Sequence, residues 1–174
     1  MAKPVGAAGN LACEYGYYLE KAALYDSEPR TLMSDEVLER YISEYIRSQT
    51  TLEVYFTWHG GEPLMRKDLA QVGAALKQRG YPWGMVTNGL ALTEKRFKEL
   101  MQSGLRSMAI SFDGMKDNHN WLRQHPLAFD GATRAIKLAA QYGVQRGSTV
   151  VQHSSKLSNT EREALNNIEQ ALAP

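Results

Sequence analysis

The chain of 174 residues holds a single cysteine, Cys13, so no disulfide can form within it. No stretch reaches the roughly 18 consecutive apolar residues of a membrane-spanning helix. Internal repeats and low-complexity tracts are absent as well. Charge of one sign is also missing: 20 Lys and Arg stand against 19 Asp and Glu, leaving a net charge of +1. That balance offers no basic face for nucleic acid and no attraction to an anionic membrane surface. The opening "MAKPVGAAGN" lacks the long apolar core of a secretory signal. With the single thiol, this leads to the expectation of a cytoplasmic protein.

What is present suits one compact domain. A hydrophobic content of 43% is enough for one substantial core and too little for two at this length. Five short apolar runs alternate with five helical patterns, which predicts α/β architecture with a parallel sheet of about five strands and helices packed outside. "KPVGAA" is a poor strand by propensity, whereas "TLEVYFTW", "PWGMVT", "SMAISF" and "VQRGSTVV" carry the β-branched and aromatic residues of buried strands. Ser34 suits a helix N-cap before Asp35 and Glu36, with Leu38, Tyr41, Ile42, Tyr45 and Ile46 at helical spacing. Pro63 suits the first turn of a second helix with Met65, Leu69, Val72 and Leu76 on one face, ended by Gly80. A third runs from Thr93 through Phe97, Leu100 and Met101 to Gly104, and a fourth from about Gly131 to Tyr142. Ser158 and Glu161 form a capping box before Leu165, Ile168 and Leu172. The connection from Glu14 to Met33 exceeds the usual strand-to-helix loop.

In parallel sheets, ligands bind at the carboxyl ends of the strands. Four polar or glycine-rich stretches fall there: "GNLACEYGYY" after the first run, "HGGEP" after the second, "TNG" after the third, and "SFDG" with "HNWLR" after the fourth. Individually they have plain readings. Gly60 and Gly61 can form a turn ahead of Glu62 and Pro63, and Asn88 before Gly89 is a common turn. His119 and His125 are six apart with no nearby cysteine, which fits no familiar zinc arrangement. No glycine-bracketed serine nucleophile and no phosphate loop occur. His59 and His153 read as ordinary polar residues.

In this order the four stretches resemble the radical S-adenosylmethionine enzymes, in the sulfatase-maturase and peptide-modifying (SPASM-type) branch. The similarity covers residues 3 to about 150. That branch often reads "CNLxCxYCYY" in its first loop. Here "GNLACEYGYY" keeps the frame but carries Gly9 and Gly16 at the outer positions, leaving Cys13 as the only metal ligand. The resemblance implies a truncated partial (β/α)6 barrel: residues 1–152 as the core, with 153–174 a capping helix of the same domain. It implies a [4Fe-4S] cluster on three thiolates and S-adenosylmethionine chelating the open iron. Reductive cleavage would then give a 5'-deoxyadenosyl radical that abstracts hydrogen from a side chain.

By the same resemblance, the backbone of Gly60 and Gly61 lies against the methionyl amino group, with Glu62 beside it. Ser111 and Asp113 meet the ribose, Arg123 pairs with the methionyl carboxylate, Tyr15 lies near the adenine, and Asn88 joins the same cofactor site. The substrate is a peptide or protein. Glycine has no donor atom, so this chain is expected to lack the cluster and to be catalytically inactive, with no catalytic residue named. Two changes to glycine, both at ligand positions, fit a deliberate replacement or a degenerate relative. The alternative function is a non-catalytic α/β module that binds a ligand or partner. Oligomeric state is open.

Overall fold

The computed structural model describes residues 2–13, 32–50, 53–144 and, towards the C-terminus, 159, 160 and 163. Helix α1 (Asp35–Ser48) starts as the sequence predicts, with the Ser34 side chain accepting a hydrogen bond from the Val37 amide and acidic residues in the first turn. It leads to β1 (Phe56–Trp58), a 3-10 turn (Pro63–Met65), α2 (Leu69–Gln78), β2 (Trp83–Thr87), α3 (Glu94–Gln102), β3 (Leu105–Ile110), α4 (Lys116–Arg123) and α5 (Ala128–Gln141). The strands are parallel in the order β1-β2-β3.

Alternation along the strands separates two faces. Phe56, Trp58, Trp83, Met85, Met108 and Ile110 are buried in the core that the helices share. Tyr41 and Tyr45 of α1 pack edge-on against Phe56, while α3 and α5 lie against β3. Burying each such large side chain contributes roughly 1.5–3 kcal/mol, so this layer dominates stability. The opposite face presents Thr57, Gly84, Val86, Ser107 and Ala109, all small or β-branched, and the Tyr55 hydroxyl lies over Gly84 and Ser107.

The expectation of about five strands is corrected to three among the described residues. "KPVGAA" turns back on itself through Gly6 N–H to Lys3 and Ala8 N–H to Val5 hydrogen bonds. The backbone bridge from this end of the chain to the sheet is made by Ala2, parallel to Trp58. All of "VQRGSTVV" except Val144 lies outside the described residues, as does most of the helix expected after Ser158. The helix expected from Pro63 stops after one 3-10 turn, because Arg66 is extended and its buried guanidinium reaches the Met33 carbonyl, Asp35 and Asp68. Met65 therefore falls outside the apolar face and is exposed. Helix α5 begins three residues before Gly131, and α4 was not expected as a helix at all.

Candidate functional site

The carboxyl edge of the sheet is assembled by loops that hold one another. The first loop crosses the end of β1, where the Gly61 amide donates to the Gly6 carbonyl at 2.9 Å and the Glu62 amide to the Ala8 carbonyl at 2.8 Å. This approach accounts for both glycines. A Cβ on Gly61 would stand 1.8 Å from the Ala8 oxygen, and Gly60 has φ +123° with its own Cβ position 2.7 Å from the Gly6 oxygen. Gly9 differs: a Cβ there would lie 3.9 Å from the Gly61 backbone, an ordinary contact. That position admits a side chain.

Glu62 is buried beneath the edge. Its Oε1 accepts from the Leu64 amide (3.0 Å) and the Thr87 hydroxyl (2.8 Å), and its Oε2 from the Asn88 amide (2.8 Å). Burial pushes its carboxyl up, and these donors oppose the shift. The carboxylate expected to face a cofactor thus already serves the end of β2. Asn88 extends the connection, its Nδ2 donating to Asn10 Oδ1 at 2.7 Å and its Oδ1 accepting from the Leu90 amide at 2.9 Å.

Beyond β3, whose continuation at Ser111 donates its amide to the Thr87 carbonyl, the chain enters the Asp113 turn. The Asp113 carboxylate, buried, accepts from Arg123 Nε at 2.5 Å, and Arg123 Nη1 lies 3.9 Å from the Cys13 sulfur. Helix α4 delivers this arginine from its last turn. The same helix buries His119 between Phe112 and Phe129, with its Nδ1 accepting from the Asp113 amide at 3.0 Å. Burial, and after it the charge of Arg123, lowers the His119 pKa to about 4, so the imidazole is neutral.

The structure therefore joins Cys13, Arg123 and Asp113 directly, ties Asn88 to the first loop, and places Gly60, Gly61 and Ser111 on the same edge. Tyr15 and Gly16 lie outside the described residues. Sequence reasoning gave Asn10, Thr87 and His119 no role here, although all three stand within the quoted stretches "GNLACEYGYY", "TNG" and "HNWLR" and His119 was weighed only as a zinc ligand; a polar residue at a strand end or on a helix's buried side is a weak signal.

The chain matches the family model described as the radical SAM superfamily over residues 4–155. It belongs to the radical SAM superfamily. Among its relatives, a serine-type anaerobic sulfatase-maturating enzyme of Bacteroides thetaiotaomicron is 41% identical over 160 residues, 87% of this chain and 38% of that protein. An enzyme of the same name from Klebsiella aerogenes is 31% identical over 164 residues, 87% of this chain and 39% of its own. The chain thus spans about two fifths of the length of these relatives. Streptococcus suis SuiB, solved bound to S-adenosylmethionine, shares the fold at a TM-score of 0.73 and 15% identity, covering 98% of this chain and 37% of SuiB. SuiB has also been solved bound to its precursor peptide SuiA.

Membership of this superfamily carries S-adenosylmethionine and a [4Fe-4S] cluster as cofactors. Three thiolates hold such a cluster, and the donors of this chain do not fit it: the sequence contains one cysteine, and no group of three or more His, Cys, Asp or Glu among the described residues is placed to hold a metal. At the same edge Arg123 is paired with Asp113, and the Glu62 carboxylate is taken up by Leu64, Thr87 and Asn88. No helix among the described residues is long and apolar enough to cross a membrane.

Proposed function

We propose that this chain is the S-adenosylmethionine-binding core of a peptide- or protein-modifying maturase, in which Gly9 and Gly16 stand at two of three cluster-ligand positions and disable cleavage of the cofactor. The observation that carries the reading is the junction at Arg123, where one guanidinium meets both the Asp113 carboxylate and the Cys13 sulfur. It sets the cluster loop against the groups proposed for the ribose and methionyl carboxylate. In this reading Tyr15, Gly60, Gly61, Asn88, Ser111, Asp113 and Arg123 form the binding edge, and Cys13 is the one residual ligand. Residues 1–152 make the core, 153–174 cap it, and the protein is cytoplasmic. The peptide substrate is suggested by the names of the sulfatase-maturating relatives and by the SuiB complex with SuiA.

What these residues can do themselves is bind and orient. A single carboxylate contact contributes about 1–3 kcal/mol, while ordering a ligand costs several kcal/mol. S-Adenosylmethionine is therefore expected to bind at roughly 0.1–1 mM. Calorimetry, iron and sulfide analysis after anaerobic reconstitution, and an assay for 5'-deoxyadenosine test the reading together. Four irons per chain with dithionite-dependent 5'-deoxyadenosine would show a live enzyme. No binding of S-adenosylmethionine at millimolar concentration would favour the second reading, a non-catalytic partner-binding module, for which the donorless Gly9 and Gly16 speak.

A further inference from the structure

We propose that Glu62 is a positioning residue of this edge and not a ligand of the cofactor: its carboxylate clasps the loop after β1 to the end of β2, fixing the Gly60–Gly61 backbone and Asn88 relative to each other. The inference rests on the S-adenosylmethionine-binding reading above but changes what Glu62 does in it. The residue is 1% exposed, and its two oxygens take three donors from two segments, Leu64 on one side and Thr87 with Asn88 on the other. The Thr87 hydroxyl itself accepts from the Gly89 amide at 3.1 Å. Its one proton goes to Glu62 Oε1, and a lone pair takes the Gly89 amide. From Asn88 the connection continues to Asn10 in the first loop, which the Gly61 and Glu62 amides also hold through the Gly6 and Ala8 carbonyls. Burial, more than the count of donors, closes that carboxylate to a ligand ammonium.

Both oxygens of Glu62 face a backbone N–H, Leu64 at Oε1 and Asn88 at Oε2. In Glu62→Gln the amide nitrogen must therefore point at one donor whichever way it turns. Thr87→Val removes one arm of the clasp, and Thr87, only 2% exposed, cannot itself touch a ligand. The experiment compares the unaltered chain with Glu62→Gln, Thr87→Val and the double variant by amide hydrogen exchange and by NMR titration with S-adenosylmethionine. In Glu62→Gln, exchange at Leu64 and Asn88 should rise at least tenfold with Met108 and Ile110 unchanged. Affinity should fall about tenfold in Glu62→Gln and several-fold in Thr87→Val, with the double variant no weaker than Glu62→Gln alone, since both cut one connection. If Thr87→Val binds like the unaltered chain while Glu62→Gln loses affinity, Glu62 is a direct ligand and the proposal is wrong. Unchanged exchange at Leu64 and Asn88 overturns it equally. Should Glu62→Gln not fold, Thr87→Val carries both comparisons by itself. Failure of the unaltered chain to bind S-adenosylmethionine refutes the functional reading instead, and exchange then decides the clasp alone.

Discussion

Gly61 and Gly9 sit across from each other, yet substitution should separate them sharply. Gly61→Ala places a methyl 1.8 Å from a backbone oxygen that is itself hydrogen-bonded. The loops must part, at a cost on the order of 3 kcal/mol in chemical denaturation. Gly9→Ala meets only ordinary contacts, and Gly9 is not among the glycines at positive φ. Restricting the unfolded chain should then stabilise the protein by about 0.5 kcal/mol. His119 gives a pH dependence whose sign follows from its lowered pKa. The unfolded imidazole takes up its proton near 6.5 and the folded one near 4, so the unfolded state holds more protons between these values. Stability is full above about pH 6.5 and falls as pH drops towards 4, by about 3 kcal/mol in all. Denaturation midpoints measured across that window should show the slope, and His119→Phe should flatten it.

Helices α1 and α3 begin on side-chain caps, Ser34 over Val37 and Thr93 over Arg96. Ser34→Ala and Thr93→Ala should each cost about 1 kcal/mol, read from thermal or urea unfolding. These two helices were legible because cap, acidic first turn and apolar stripe all lie within a few residues. The segment around Pro63 misled for the opposite reason: the proline signal is local, but the break after Met65 is imposed by the contacts of Arg66 with Met33 and Asp35, 33 and 31 residues away. Helix α4 was invisible because its buried side reduces to His119 and Leu122, too few points for a period. The site was legible as an ordered series of motifs falling at strand ends. Its internal wiring was not, because the links of Glu62 to Thr87 and of Asn10 to Asn88 span 25 and 78 residues and leave no spacing rule in the sequence.

For the molecule as a whole, the parallel sheet and the helices described share one apolar core. Their stability comes from Trp58, Trp83, Met85 and their neighbours. The double variant Gly9→Cys with Gly16→Cys should therefore fold as the unaltered chain does and, after anaerobic reconstitution, turn brown with about four irons per chain, the content of one [4Fe-4S] cluster. Iron and sulfide analysis checks this, and either cysteine alone should give far less. A colourless double variant would place the defect in the rest of the barrel and not in the thiols.

The ordinary contact that a side chain at position 9 would make has a consequence for descent. Folding tolerates either residue at that position, so a lineage can lose a thiol there, or regain it, through intermediates that all fold. Position 61 has no such latitude, since the crossing of two backbones demands glycine whether or not any chemistry follows. Among cluster-free descendants of this core, residue 9 should drift freely while residue 61 stays glycine, and a sequence survey of such descendants would reveal the contrast.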